Sequence, residues 1–125
     1  MRILRINMDR LETNWEPVSS AYEHLGGRAL IAGILLAEVP PQCDPLGPKN
    51  RLIFAPGLLG GTSLSSSGRL SVGGKSPLTG GVKEANCGGH GGSDLGRLGI
   101  KALVVEGQPE SGKLYLLHLS GDKAE

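Results

Sequence analysis

Aromatic residues are nearly missing from this sequence: Trp15, Tyr22, Phe54 and Tyr115 are the whole set. Any core must therefore be built from Leu, Ile, Val and Ala. Cysteine is equally sparse. Cys43 and Cys87 stand in no Cys-x-x-Cys pair, which excludes a disulfide framework and leaves two reduced thiols as the expected state. Charge of one sign is lacking too. The formal net charge is +1 with both signs scattered, so the basic stripe that grips a phosphate backbone is absent and nucleic acid is set aside as a partner. Nor is there a long apolar run. The longest mainly apolar stretch, Ala29 to Val39, is too short to cross a bilayer and no basic segment precedes it, so the expectation is a soluble, cytoplasmic protein with no membrane partner.

What is abundant is glycine, 21 of 125 residues, against roughly 7% in average usage. The glycines fall between well-patterned apolar segments and follow no repeating period, which argues against a disordered linker or collagen. The preferred reading is a backbone held close to a ligand. Residues 1–125 make one domain, of a size that buries roughly 65% of the surface its unfolded form exposes.

Local patterns predict an α+β fold: mixed and antiparallel β-sheet, a few short helices and a long Gly-rich segment facing a cofactor. Arg2 to Met8 alternates as a strand, and Asp9 to Pro17 reads as polar turn. Ser19 or Ser20 can cap a short helix running to Leu25. After Gly26-Gly27 a second helix is predicted from about Arg28 to Glu38, with Leu30, Ile31, Ile34 and Leu35 on one face. Pro40-Pro41 ends it, because proline lacks the amide and clashes with the preceding turn. Arg51 to Ala55 reads as a buried strand. Pro56 to Gly92 reads as a long Gly/Ser/Thr loop with short extended pieces at Arg69–Val72 and Gly81–Ala85, and a loop that long implies a function or a ligand. A short helix over Ser93–Leu98, stopped by Gly99, then precedes two strands, Lys101–Glu106 and Lys113–Leu119, expected to form a hairpin through Gly107–Gly112. The turn signal Ser120-Gly121-Asp122 points to a further pairing strand, and since the sequence ends at Glu125 the natural polypeptide is expected to continue.

Several chemical motifs can be weighed. Gly68 to Ser76 approaches a nucleotide P-loop but fails by one residue, and Pro77 forbids the helix interior that should follow. Gly88-Gly89-His90-Gly91-Gly92 misses the dinucleotide fingerprint because Asp94 stands where a third glycine belongs, though it remains a candidate anion-binding turn. Cys87 and His90 have a zinc-compatible spacing, but His24, Cys43 and His118, the other candidate ligands, are scattered. Ser63, Ser65, Ser66 and Ser67 lack a Gly-x-Ser-x-Gly elbow and a placed base, so hydrolase chemistry is disfavoured. Arg69 is the most informative charge. Framed by small residues, its planar fork can lie along a conjugated ring or hold a phosphate with two bonds, with a solvated loop arginine as the plain alternative. Lys75 reads as solvated.

The order of segments carries more information than any one of them. Arg-Ile-Leu-Arg-Ile-Asn at 2–7 is followed by Leu-Gly-Gly-Arg-Ala-Leu at 25–30 and Asp-Pro-Leu-Gly-Pro-Lys-Asn at 44–50. Then come Phe-Ala-Pro-Gly-Leu-Leu-Gly-Gly-Thr at 54–62, Gly-Arg-Leu-Ser-Val at 68–72 and Lys-Ser-Pro-Leu-Thr-Gly at 75–80. Glu-Ala-Asn-Cys-Gly-Gly at 84–89 and Leu-Gly-Ile-Lys-Ala-Leu-Val-Val-Glu-Gly at 98–107 complete the set. This series resembles the N-terminal domain of the tungsten-containing aldehyde ferredoxin oxidoreductases almost end to end.

The resemblance implies an enzyme that oxidises an aldehyde to the carboxylic acid and passes two electrons through a [4Fe-4S] cluster to ferredoxin. It implies a metal held by the dithiolenes of two pterins (tungsten bis-pterin, or tungstopterin) lying on this domain as on a saddle. By position, Arg69 matches the arginine between pterin and cluster, and Gly88 a nearby pterin contact. Asn86 matches the asparagine whose backbone helps hold the magnesium that links the two pterin phosphates. The family's cluster cysteines, substrate residues and remaining pterin segments have no counterpart in this sequence. The expectation is thus an N-terminal cofactor-binding part, not catalytic alone, whose partner is the remaining C-terminal polypeptide or a large subunit. Alternatives are a related aromatic acyl-CoA reductase subunit, or a free-standing, non-catalytic binding module of the same fold.

Overall fold

A computed structural model describes residues 1–125. The chain folds as β1 (Arg2–Asn7), β2 (Glu12–Pro17), a 3-10 turn (Ser20–Tyr22), α1 (Gly27–Glu38), β3 (Arg51–Pro56), β4 (Leu70–Lys75) and β5 (Val82–Cys87), then α2 (Gly91–Arg97), β6 (Ile100–Glu106), β7 (Leu119–Ser120) and β8 (Lys123–Ala124). The first six strands make one mixed sheet in the order β2-β1-β6-β3-β4-β5, and β7-β8 form a separate two-stranded piece. Only the β1–β6 contact is parallel; every other neighbouring pair in the sheet is antiparallel. This is the α+β class that the sequence patterns predict.

Alternation along the strands divides the apolar residues between two faces. Ile3, Ile53, Ala55, Ala102 and Val104 meet Leu30, Ile31, Ile34 and Leu35 of α1, the four residues that helical spacing places together. The opposite face buries Leu4, Ile6, Ile100 and Leu103 beneath Leu95 and Leu98 of the α2 region and Leu117, Leu119 and Ala124 of the C-terminal segment. The predicted helix start near the serines holds as one 3-10 turn, its Ser19 hydroxyl accepting from the Ala21 amide.

Three expectations fail, each for a physical reason. Residues 12–17 are not turn but edge strand β2. The Asn7 side-chain oxygen accepts from the amides of Asp9 and Arg10, which closes the reversal, and a polar strand is tolerated at a sheet edge that faces water. Residues 56–92 are not a long loop with two short extended pieces: the pieces expected at 69–72 and 81–85 are the full strands 70–75 and 82–87, paired in continuous register from Leu70↔Cys87 to Lys75↔Val82. A Cβ at Gly73 would stand 2.8 Å from Ile31 Cγ2 and 2.6 Å from the Lys83 carbonyl oxygen, so this glycine lets α1 settle on the strand. Residues 113–118 do not pair with β6, since β1 and β3 already occupy both of its edges. The strand expected after Ser120-Gly121-Asp122 is present inside the chain as β8, with Leu119 opposite Ala124.

A charge network fastens the C-terminal end of α1 to the sheet. Arg5 grips both carboxylate oxygens of Glu38, at 2.9 and 2.5 Å, and donates to Glu16 at 2.7 Å. Glu106 lies 3.4 Å from Arg5 and 3.0 Å from Arg51. Hydrogen bonding to Glu38 outweighs burial and holds the Arg5 pKa above the ordinary arginine value. At the other end of the helix, buried Lys101 donates from Nζ to the Glu23 carbonyl at 2.8 Å. Lys75 is not solvated: it donates to the Pro41 and Cys43 carbonyls, each at 2.6 Å, and ties β4 to the segment after α1.

Three outcomes follow. Arg5→Met leaves Glu16, Glu38 and Glu106 facing one another with Arg51 alone to compensate, and urea denaturation should record a loss of about 2–4 kcal/mol. Gly96→Ala sits inside α2, where alanine ordinarily gains about 1 kcal/mol. Here a Cβ would overlap the Gly60 carbonyl oxygen. The net result should be a destabilisation of about 1–2 kcal/mol, read by thermal unfolding. Burial pushes the Lys101 pKa below the ordinary lysine value, and Glu23 offsets this only in part. The unfolded chain keeps that proton up to about pH 10.4, so between the two pKa values it binds more protons than the folded chain. Wild-type stability should therefore rise with pH through that window relative to Lys101→Met, and the penalty should be complete below the folded-state pKa. Parallel urea midpoints in the alkaline range check the sign.

Candidate functional site

The β4–β5 hairpin brings the candidate residues together because its two strands end together. Leu70 lies opposite Cys87, so the residue before β4, Arg69, and the residue after β5, Gly88, emerge side by side at the open end of the hairpin. One pair further in, Ser71 lies opposite Asn86. Ser71 is buried on the α1 face, where a Cβ on Gly27 would come within 3.3 Å of its hydroxyl oxygen. Arg69, Asn86 and Gly88 are exposed.

These residues form a connected line. Arg69 Nε donates to Asn86 Oδ1. Asn86 Nδ2 in turn donates to Ser71 Oγ at 3.1 Å. No carboxylate pairs with Arg69, and its two terminal amino groups have no protein acceptor, so a full positive charge with a free fork faces outward. The three residues that family resemblance selects are thus brought together. Ser71 was not selected. A signal for it was present: in Gly-Arg-Leu-Ser-Val the serine stands two residues beyond Arg69 within the extended piece expected at 69–72, and so shares its face of a strand.

Gly88 is distinct among the neighbouring glycines. Gly92 is required by the chain itself, since a Cβ there would stand 2.5 Å from the Gly68 carbonyl oxygen and 2.6 Å from that of Arg69. At Gly88 a Cβ would meet nothing nearer than Arg69 Nη1 at 3.7 Å, and the backbone is not in the left-handed region. Neither packing nor conformation demands a glycine there. Open space above Gly88, beside an uncommitted guanidinium, suits the close approach of a flat anionic ligand. Residue β5 edge position adds a second resource, because strand β5 is the last of the sheet and part of its backbone carbonyls have no strand partner. The residues present therefore fit an anionic, pterin-like group.

The other motifs lead elsewhere. Gly68 to Ser76 is mostly strand β4 and cradles no phosphate. Cys87 is exposed, its thiol directed at the Leu70 carbonyl at 3.6 Å, and His90 is the N-cap residue of α2. No three His, Cys, Asp or Glu side chains converge as a metal site. Ser65, Ser66 and Ser67 share a shallow groove of about 480 Å³ with His24, yet Ser67 donates to the Leu64 carbonyl and no hydroxyl bonds the imidazole. A more apolar cavity of about 530 Å³, lined by Met8, Leu52, Phe54, Leu103, Val105 and Tyr115 among others, includes none of Arg69, Asn86 and Gly88. No helix is long and apolar enough to cross a membrane.

Comparison with known proteins bears on this arrangement. The family described as "Aldehyde ferredoxin oxidoreductase, N-terminal domain" matches residues 3–125. The tungsten-containing aldehyde ferredoxin oxidoreductase of Thermococcus kodakarensis is 43% identical over 126 residues, covering 99% of this chain and 20% of the relative. The enzyme of the same name from Pyrococcus furiosus is 43% identical over 111 residues, 87% of this chain and 18% of the relative. Among solved structures, the active site complex BamBC of benzoyl coenzyme A reductase, bound to 1,5 dienoyl-CoA, superposes with a TM-score of 0.92 at 30% identity, covering 99% of this chain and 19% of that one. The chain thus spans about a fifth of the length of the relatives it matches. With residues 3–125 matched and 43% identity to a relative over 99% of its length, this chain belongs to the aldehyde ferredoxin oxidoreductase family, of which it is the N-terminal domain.

Proposed function

We propose that this domain is the cofactor-binding base of a tungsten-pterin oxidoreductase that oxidises aldehydes to carboxylic acids with ferredoxin as electron acceptor. The observation that carries the reading is the meeting of Arg69, Asn86 and Gly88 on one hairpin end, in a chain 43% identical to tungsten-containing relatives. The overall change is RCHO + H2O → RCOOH + 2H⁺ + 2e⁻. The bound tungsten bis-pterin would supply the two-electron chemistry at the carbonyl carbon.

The chain's own residues bind and orient. Arg69 would meet the anionic pterin with its two free amino groups, whose planar fork suits a flat anionic partner. Gly88 would admit the ring system to close contact with the backbone. The Asn86 backbone carbonyl, on the edge strand, would be an oxygen donor to the cofactor's magnesium; a hard cation of this kind takes oxygen donors. The [4Fe-4S] cluster would be held by cysteines of the remaining C-terminal polypeptide, since Cys43 and Cys87 lie in separate parts of the fold and form no cluster-binding run. Substrate contacts would come from that polypeptide as well, with the assembled enzyme working in the cytoplasm.

A second reading has its own observation. The fold match to the benzoyl coenzyme A reductase complex supports an aromatic acyl-CoA reductase subunit as the alternative. The higher identity to the aldehyde-oxidising relatives favours the first.

Co-expression of this chain with the C-terminal four fifths of the Thermococcus kodakarensis relative tests both. The expected result is an assembly that retains tungsten and reduces benzyl viologen when given an aldehyde. Reduction of an aromatic acyl-CoA without aldehyde oxidation would favour the second reading, and an assembly without tungsten would end the first. Within it, Arg69→Ala should lower tungsten retention roughly tenfold, the scale of one lost charge-assisted hydrogen bond. Gly88→Ala should also lower retention while leaving the thermal stability of the chain within about 0.5 kcal/mol of wild type. Tungsten retention unchanged in both variants would remove these residues from the site.

A further inference from the structure

Asn86 has a carboxamide, whose two ends are nearly the same size but opposite in hydrogen-bonding character. With Oδ1 toward Arg69 it accepts from Nε; turned over, it would point an N–H donor at a cation that has nothing to accept with. The structure shows the first arrangement, with Arg69 Nε donating to Oδ1. Nothing about Asn86 itself enforces it, because the residue is exposed on edge strand β5. What holds the amide in place is the buried group behind it. Ser71 Oγ accepts from Nδ2 at 3.1 Å, and Ser71 is only 3% exposed, held in β4 beneath the start of α1.

We infer that Ser71 is a positioning residue for the cofactor site: by accepting from Asn86 Nδ2 it fixes the carboxamide so that Oδ1 captures Arg69 Nε. Arg69 then commits its Nε to the protein and keeps both terminal amino groups free, with Nη1 lying over the open space at Gly88. The order of dependence is buried serine, edge-strand asparagine, exposed arginine. The rigid core thereby sets the direction of a side chain that, left alone, would sample many rotamers in water. Preorganisation of this kind strengthens binding by removing an ordering cost at the moment of contact. Ser71 touches no ligand in this scheme and acts only through Asn86. The inference rests on the assignment of Arg69 and Asn86 to the tungstopterin.

The test reads the orientation directly, without cofactor. In the isotopically labelled 125-residue chain, NMR measures the hydrogen-exchange rate of the Arg69 Nε–H at mildly acidic pH. Ser71→Ala should speed that exchange about fivefold, the factor set by one hydrogen bond of ordinary net strength. Asn86→Ala should speed it at least as much. Backbone amide exchange in β4 and β5 supplies the control that separates anchoring of the side chain from general loosening, and it should stay within about twofold of wild type in Ser71→Ala, well inside one hydrogen bond's worth. An Arg69 Nε–H rate unmoved by Ser71→Ala, or backbone amides of β4 and β5 speeded as much as the Arg69 Nε–H, would overturn the inference. In the co-expressed assembly, Ser71→Ala should lower tungsten retention several-fold, and retention equal to wild type would show that the orientation does not serve the cofactor. A wild-type assembly that holds no tungsten would instead defeat the cofactor reading, while the exchange rates would still decide whether Ser71 orients Asn86.

Discussion

Strand β6 has no free edge. It pairs in parallel with β1 on one side and antiparallel with β3 on the other, and its residues Ile100 to Val104 are all buried. A strand in that position must have both faces covered, because its apolar side chains alternate above and below the sheet. The rest of the architecture answers to this requirement. Helix α1 covers one face, and the α2 region with the C-terminal segment covers part of the other. The occupied edges also explain why residues 113–118 lie outside the sheet, and why growth continues away from β6 through β3, β4 and β5 until it stops at the exposed strand that bears Asn86.

Close backbone approach is the second constraint, and it separates two uses of glycine that composition alone merges. At Gly73, Gly92 and Gly96 a side chain would strike this chain's own atoms: Ile31, the Arg69 carbonyl and the Gly60 carbonyl. These glycines serve packing, and they account for much of what first reads as a ligand-facing surface. Gly88 is different, with open space and an ordinary backbone. The distinction narrows the cofactor-facing reading from a segment of the chain to the end of one hairpin.

Rigidity and exposure are divided along the sheet in a way that suits a cofactor base. The Arg5, Glu38, Glu106 and Arg51 network fixes the C-terminal end of α1 and the Lys101 tie fixes the segment that leads into it, so the helix that covers Ser71 is firmly held. Arg69 and Gly88 stand at the rim, where a large ligand can reach them. Exposed groups anchored to one buried side chain can be held in direction without being removed from solvent.

Periodicity and punctuation made much of this protein legible. The α1 face, the strand at β3 and the stop at Gly99 follow from local rules, because helical and strand spacing act over a few residues. The family, and with it Arg69, Asn86 and Gly88, came from the order of segments rather than from any physical pattern, and the family is borne out by a match over residues 3–125. Tertiary structure alone decided the rest. Whether residues 70–87 were loop or hairpin depended on α1 being there to fill the space that their glycines leave. Whether residues 113–119 could join β6 depended on which strands had already taken its edges. That Ser71 stands behind Asn86 depended on cross-strand register, a relation between residues distant in sequence that no local spacing contains.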